Sequence, residues 1–133
     1  MKVLGTAALA LALLTAPSAG SAMTLRDYAA NERGTVKGAA PGVTLAYLWG
    51  TLDGIGALGK ASRIRFFCID EGNPKYRLLQ IDAFKGVVTE RIEAIAAKAG
   101  GLDGKAGDTQ VGAVVVELLT EMFPCPDEGG GKP

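Results

Sequence analysis

The chain has 133 residues, with 14 Lys and Arg against 14 Asp and Glu, and it contains no histidine. The balanced, scattered charges exclude the basic face that nucleic-acid binding needs and the polybasic cluster that binds anionic lipid. The lack of histidine removes most serine- and cysteine-based nucleophilic systems and most zinc sites.

Residues 1–22 have the three-part pattern of a secretory signal. Lys2 supplies a positive start, residues 3–14 are an uncharged apolar run, and Gly20, Ser21 and Ala22 are the small residues of a cleavage site. The run of about 12 apolar residues is too short to span a bilayer. We expect cleavage after Ala22 and a mature protein in the Gram-negative periplasm or secreted, with no membrane segment. The alternative is a buried helix of the mature fold.

The mature chain begins with two predicted helices. Thr24 is the expected N-cap of the first, with Asp27 reaching back to it in a capping box. A glycine-rich loop over residues 34–42 follows, and the second helix is predicted over residues 43–58. One apolar stripe along this second helix predicts its buried side; it consists of Leu45, Leu48, Trp49, Leu52 and Ile55. Trp49 is therefore expected in the core, and the glycines of this helix are expected to permit close helix packing.

Two longer helices are predicted in the second half. The third covers residues 76–99 and ends at Gly100 and Gly101. The fourth begins at an N-cap on Asp108 or Thr109 and ends before Pro124; its stripe is Val111, Val114, Val115, Leu118, Leu119 and Met122. Residues 127–133 are predicted to be a disordered tail. We therefore predict an all-α, four-helix bundle-like domain over residues 23–126.

Cys68 and Cys125 are the two cysteines of the chain. An even count in an exported protein predicts a disulfide, with two separate buried thiols as the alternative. Such a bridge closes a loop of about 58 residues, which the chain-entropy model values at about 4 kcal/mol. Phe66, Phe67 and Ile69 are expected to pack around the bridge.

No catalytic, cofactor or metal site is predicted. Two carboxylate pairs, Glu90 with Glu93 and Glu117 with Glu121, each share one helix face. Acid–base chemistry would require that one member be removed from water. Because Glu117 and Glu121 lie opposite the apolar stripe, we interpret these pairs as solvated surface and the protein as a non-enzyme.

Three motifs occur in order along the mature chain: YLWGTLDG over residues 47–54, FFC over residues 66–68 and FPC over residues 123–125. This set resembles the Rap/Tai-type family of small periplasmic immunity proteins, which are paired with type VI secretion amidase effectors. The resemblance implies a helical fold, a paired Cys68 and Cys125, and structural motif positions at Trp49, Gly50 and Asp53. It also implies that the partner is a secreted amidase.

The leading hypothesis is thus an immunity-type inhibitor that covers the groove of a peptidoglycan amidase. The alternative is an envelope stress chaperone of the HdeA type, also without catalytic activity. We predict that partner binding uses the glycine-flanked, mobile connection between the third and fourth helices, with Leu102 as an apolar anchor beside Asp103 and Lys105. A plain flexible linker is the alternative for this loop, and the sequence leaves a homodimer open.

Overall fold

The computed structural model describes residues 22–62 and 65–126, and this part of the chain is helical. Its α-helices are α1 (Leu25–Glu32), α2 (Val43–Ala61), α3 (Ile81–Ala99) and α4 (Val111–Met122). Short 3₁₀-helices lie at Pro74–Leu79 and Lys105–Asp108. The predicted all-α, four-helix fold is confirmed, whereas the predicted signal segment and C-terminal tail lie outside the described residues.

The core lies between α1, α3 and α4. The whole predicted stripe of α4 is buried, and Phe84, Val88 and Ile92 meet it from α3. Leu25 and Tyr28 of α1 close the cluster. Each of these large apolar side chains contributes about 1.5–3 kcal/mol by leaving water. The periodicity of the fourth predicted helix therefore identified its buried side correctly.

The backbone N–H groups in the first turns of α1 and α4 find their hydrogen-bond acceptors in different ways. At α1 the predicted capping box is confirmed: the Asp27 N–H donates to Thr24 Oγ1 at 3.2 Å, and the Thr24 N–H donates to Asp27 Oδ2 at 3.2 Å. At α4 the prediction of a cap at Asp108 or Thr109 is wrong, because Gln110 is the N-cap and its side chain caps nothing. Instead, the Val111 N–H donates to the Met23 carbonyl at 2.9 Å, so the backbone just before α1 caps α4.

The predicted third helix is divided into two pieces. Asn73 Oδ1 accepts a hydrogen bond from the Lys75 N–H at 2.9 Å and starts the 3₁₀-helix, with Pro74 at its first position. Gln80 is extended (ψ 133°), which ends the 3₁₀-helix before α3 begins. The predicted end is confirmed, since Gly100 and Gly101 have φ of +75° and +123°.

The prediction that Trp49 belongs to the core is wrong, because its side chain is 63% exposed. Only Thr44 and Leu48 of α2 are fully buried, and Leu52 and Ile55 are partly buried beside them. Successive residues of a helix point about 100° apart, so a contact centred on Leu48 leaves Trp49 on the flank. The predicted stripe was wider than the strip of α2 that meets the core. None of the helices in residues 22–62 and 65–126 combines the length and hydrophobicity of a transmembrane span.

Candidate partner-binding surface

A disulfide between Cys68 and Cys125 ties the connection after α2 to the end of α4, as predicted. The two Cα atoms lie 4.8 Å apart, and 57 positions separate the residues in sequence. Two hydrogen bonds reinforce the tie: the Cys68 N–H donates to the Phe123 carbonyl at 2.8 Å, and Asn73 Nδ2 donates to the Met122 carbonyl at 3.2 Å. These bonds also satisfy carbonyl groups that the last turn of α4 leaves without a helical partner.

The aromatic residues beside the bridge are divided between core and surface. Phe67 packs against the core, but Phe66 is 67% exposed and Ile69 is 50% exposed. All three residues lie beside Cys68 in one groove, but only Phe67 is packed into the core. Because the bridge holds this segment at the outer end of α4, only one side of the segment can reach the core.

Two adjoining clefts flank this segment. The first, here called the Trp49 cleft, has a volume of about 520 Å³ and is lined by Trp49, Gly50, Leu52, Asp53, Ile69 and Leu79. The second, the bridge groove, has a volume of about 580 Å³, and its apolar lining includes Ile55, Leu58, Phe66, Phe67, Ile69 and Val116. Ile69 lines both clefts, so they form one continuous surface.

This surface gathers most of the large apolar side chains that the described residues expose. Four of the six, namely Trp49, Leu58, Phe66 and Ile69, line the two clefts, while Val36 and Tyr76 lie elsewhere. We call these four residues the apolar face. Its charged margin consists of Asp53 at the Trp49 cleft and of Lys60 and Arg65 at the bridge groove. An apolar patch rimmed by charged groups is typical of a protein-interaction site.

The sequence analysis missed this face, although α2 carries a signal for it. The 19 residues of α2 include only two charged side chains, Asp53 and Lys60. A helix that lies on one side of a core needs a polar opposite side. Since α2 has too few polar residues to form one, part of its apolar surface must face solvent or another molecule.

The connection between α3 and α4 differs from the mobile linker that we expected. The Arg26 guanidinium donates to the carbonyls of Leu102, Asp103 and Gly104, each at 3.1 Å. Its third nitrogen forms a 2.8 Å ion pair with Asp108. One side chain of α1 therefore holds both halves of this loop.

The proposed anchor in that loop is not free. Leu102 is partly buried against the core and does not project freely from the loop, so its role as a partner-binding anchor stays a prediction. The loop is also compact, because a Cβ at Gly107 would lie 1.8 Å from the Leu102 carbonyl oxygen. Asp103 and Lys105 are exposed, and their contact with a partner stays a prediction.

The glycines of α2 do not permit close packing within the chain. A Cβ built on Gly50, Gly54 or Gly56 would meet no atom within 4 Å. The expectation of close helix approach is thus wrong for the contacts inside one molecule. Gly50 and Asp53 both lie on the exposed side of α2, at the margin of the Trp49 cleft.

Several polar side chains of α1, α2 and α3 form hydrogen bonds and an ion pair with one another beside the core. Glu32 accepts a hydrogen bond from the Thr44 hydroxyl and pairs with Lys85 Nζ at 3.0 Å, which connects α1, α2 and α3. Partial burial alone would raise the pKa of Glu32, but these two partners outweigh it and hold the pKa below its ordinary value. Burial raises the pKa of Tyr28, whose hydroxyl lies 2.8 Å from Thr89 Oγ1. This network joins the helices, and its members Glu32, Thr44 and Lys85 line a third, smaller cleft of about 230 Å³.

The carboxylate pairs lie at the surface. Glu90, Glu93, Glu117 and Glu121 are all exposed, and Glu121 pairs with Arg91 across α3 and α4. Hydrogen bonds from the Arg91 guanidinium hold the pKa of Glu121 below its usual range. Within residues 22–62 and 65–126, no group of three or more acidic or cysteine side chains is placed to hold a metal ion.

Comparison with protein families, curated proteins and solved structures finds no match to this chain.

Proposed function

We propose that this protein is an exported, non-catalytic binding protein of the immunity type, which inhibits a peptidoglycan-cleaving amidase by covering its active-site groove. The observation that carries the proposal is the apolar face, where Trp49, Phe66 and Ile69 are each at least half exposed beside two clefts. Large exposed aromatic and aliphatic side chains in a concave surface are typical binding anchors.

The structure supports this use of the face by holding its parts in place. The disulfide and the Cys68–Phe123 backbone hydrogen bond fix the segment that carries Phe66 and Ile69 against the end of α4. A surface that is ordered before binding loses less conformational entropy when a partner docks. Inhibition by coverage needs no reactive group, and the groups with shifted pKa values serve helix pairing here.

The ordered motifs over residues 47–54, 66–68 and 123–125 also support the proposal, because they resemble those of the Rap/Tai-type immunity proteins. All three lie in or beside the apolar face: the first contains Trp49, and the other two contain the bridged cysteines. The resemblance points to a secreted amidase as the partner class and to the periplasm as the compartment.

The proposal predicts that a secreted amidase is encoded beside this protein, and the test is an inhibition assay in which that amidase hydrolyses purified peptidoglycan. Wild-type protein should abolish hydrolysis at an equimolar ratio, and Phe66→Asp should weaken inhibition at least about tenfold, because the charge would lie in the interface. Val36→Asp is the matched control, since Val36 is also an exposed apolar residue but lies outside both clefts. It should inhibit as wild type does.

Two results would overturn parts of this proposal separately. Full amidase activity with wild-type protein present would reject the immunity function. Equal inhibition by wild type and by Phe66→Asp would retain the function and reject the apolar face as its site.

A second candidate, an acid-stress chaperone, is favoured by one observation. Three ion pairs, Arg26–Asp108, Lys85–Glu32 and Arg91–Glu121, join different elements, and each depends on a carboxylate that acid would protonate. The chaperone hypothesis requires that the protein lose its tertiary packing near pH 3, bind a hydrophobic dye and then suppress aggregation of a client. A native near-ultraviolet circular dichroism spectrum at that pH would reject it.

A further inference from the structure

The outward side of α2 carries small and apolar residues where a surface helix normally carries charged ones. Ala46, Gly50, Ala57 and Ala61 are all exposed there, one to two helical turns apart. The opposite side, with Thr44 and Leu48, is the one that meets the core. A helix that is apolar on all sides is normally buried on all sides. In this chain the outer half of α2 is left uncovered.

The open glycines of α2 are consistent with a second helix docking on its outer side. Nothing inside the chain would obstruct a side chain at Gly50, Gly54 or Gly56, so internal packing does not require glycine there. Glycine also weakens an exposed helix relative to alanine. Small residues along one line do, however, allow the backbone of another helix to approach closely, and on α2 that line consists of Ala46, Gly50, Ala57 and Ala61.

The two charges of α2 identify the kind of helix that would fit. Asp53 and Lys60 are both exposed and stand two helical turns apart on one side, about 10 Å along the axis. Neither forms an ion pair with another described residue. Such a surface is complementary to itself in the antiparallel direction, because each acid then faces a base of the other helix.

We propose that the protein forms a two-fold dimer through antiparallel α2 helices, with the axis passing between Gly56 and Ala57. Asp53 of each copy then pairs with Lys60 of the other, and the small residues lie where the helices cross. This is an isologous contact, in which one surface serves both copies. Asp53 and Lys60 also border the two clefts, so the dimer and the proposed complex with an amidase use overlapping surfaces and exclude each other. The test below uses the purified protein without any amidase, so its outcome is separate from that of the inhibition assay.

The experiment is sedimentation equilibrium of the mature protein over a range of micromolar concentrations. Wild type should show a monomer–dimer equilibrium. Asp53→Lys and Lys60→Asp should each weaken dimerisation at least about tenfold, because each replaces two attractive pairs by two repulsive ones. Matched charge changes at exposed loop positions, Asp103→Lys and Lys105→Asp, should leave the dimer unchanged.

Mixing the two α2 variants supplies the decisive control. In the mixed dimer, the lysine introduced at position 53 of one chain faces the aspartate introduced at position 60 of the other. The native Lys60 of the first chain likewise faces the native Asp53 of the second, so an equimolar mixture should recover dimerisation to near the wild-type level. This recovery also excludes misfolding as the cause of the single-variant losses. A wild-type chain that stays monomeric throughout, or single variants that dimerise as wild type does, would overturn the proposal, as would a mixture that does not recover.

Discussion

Helices α2 and α4 have similar apolar compositions but different surroundings. α4 has 12 residues and buries six of them, whereas α2 has 19 residues and buries two. In α4 the apolar residues repeat every three or four positions, with Glu117 and Glu121 on the opposite side. In α2 they extend around the helix and are interrupted by glycines. The arrangement of apolar residues along a helix, more than their number, therefore decides how much of that helix its own chain buries.

The loop before α4 and the segment after α2 also differ in how firmly the rest of the chain holds them. The loop before α4 is held by the four contacts of Arg26 and by the backbone pairing of residue 23 with Val111. The segment after α2 is held mainly at the disulfide and the Cys68 N–H. We therefore expect substitutions around α4 to affect the free energy of unfolding and substitutions around α2 to affect binding.

The largest effect is expected for Phe84→Ala on the buried side of this comparison. Phe84 is 0% exposed and lies on the side of α3 that faces the core. Its truncation should lower the free energy of unfolding by about 3–5 kcal/mol through lost burial and a cavity. Urea denaturation followed by circular dichroism measures this change. A loss below about 1 kcal/mol would contradict the assignment of this site to the core.

Removal of the bridge by Cys125→Ser should have the next largest effect. The disulfide closes a long loop, with 57 positions between its cysteines, and its loss should cost about 2–4 kcal/mol. Peptide mapping without reductant should link the two cysteine peptides in wild type. Reduced wild-type protein is the control, because it should denature at nearly the same urea concentration as the variant. A variant as stable as the oxidised protein would show that the α4 contacts alone hold the segment.

Two glycine-to-alanine substitutions, one in the α3–α4 loop and one in α2, should have opposite effects on the free energy of unfolding. Gly107→Ala should cost about 1–3 kcal/mol, because the new Cβ would lie 1.8 Å from the Leu102 carbonyl oxygen and force the Arg26-held loop to move. Gly54→Ala in α2 should instead stabilise the monomer by about 0.5–1 kcal/mol, since the added methyl meets nothing within 4 Å. Both changes are measured by urea denaturation at low protein concentration. If both substitutions raise, or both lower, the free energy of unfolding, then the loop and α2 do not differ in packing as described.

The sequence predicted the described fold well where local physics decided it. The capping box at Thr24, the end of α3 at Gly100 and the stripe of α4 depend on neighbours within one helical turn or on a regular repeat. The cap of α4 could not be found in this way, because its donor finds a carbonyl at Met23, far away in sequence.

The candidate site was harder to predict for the same reason. Trp49 fitted the apolar stripe of α2, but burial depends on how much of that stripe a neighbouring element covers. Arg26 gave no signal in sequence, since its four partners lie more than 70 positions away. Leu102 therefore appeared free in the sequence, whereas Arg26 and the core hold its surroundings in place.

Acidification should weaken, by a smaller amount, the polar link that joins α2 to α1 and α3. Because the folded-state pKa of Glu32 is lowered, its contribution is present above the unfolded-state pKa and is lost as the pH falls through the folded-state value. Its pairing with Thr44 and Lys85 should contribute about 0.5–1 kcal/mol at pH 7. The stability difference between wild type and Glu32→Gln should therefore shrink in urea titrations from neutral pH to below about pH 4. Glu93→Gln, at an exposed position that forms no ion pair with another described residue, is the matched control for the loss of one surface carboxylate.

The smallest stability effect is expected for Trp49→Ala, and this prediction tests the comparison most directly. A buried tryptophan of the core would cost about 3–5 kcal/mol on truncation, but Trp49 is 63% exposed and should cost less than about 1 kcal/mol. Leu48→Ala, one position earlier and fully buried, is the matched control and should cost about 2–5 kcal/mol. If Trp49→Ala is instead as costly as Leu48→Ala at a protein concentration where the chain is monomeric, then the Trp49 side chain packs against its own chain, and its place in the apolar face is wrong. A stable Trp49→Ala variant that no longer inhibits the amidase would show that Trp49 serves recognition. Recognition would then explain why α2, which has enough other apolar residues for its own packing, exposes a large aromatic side chain to water.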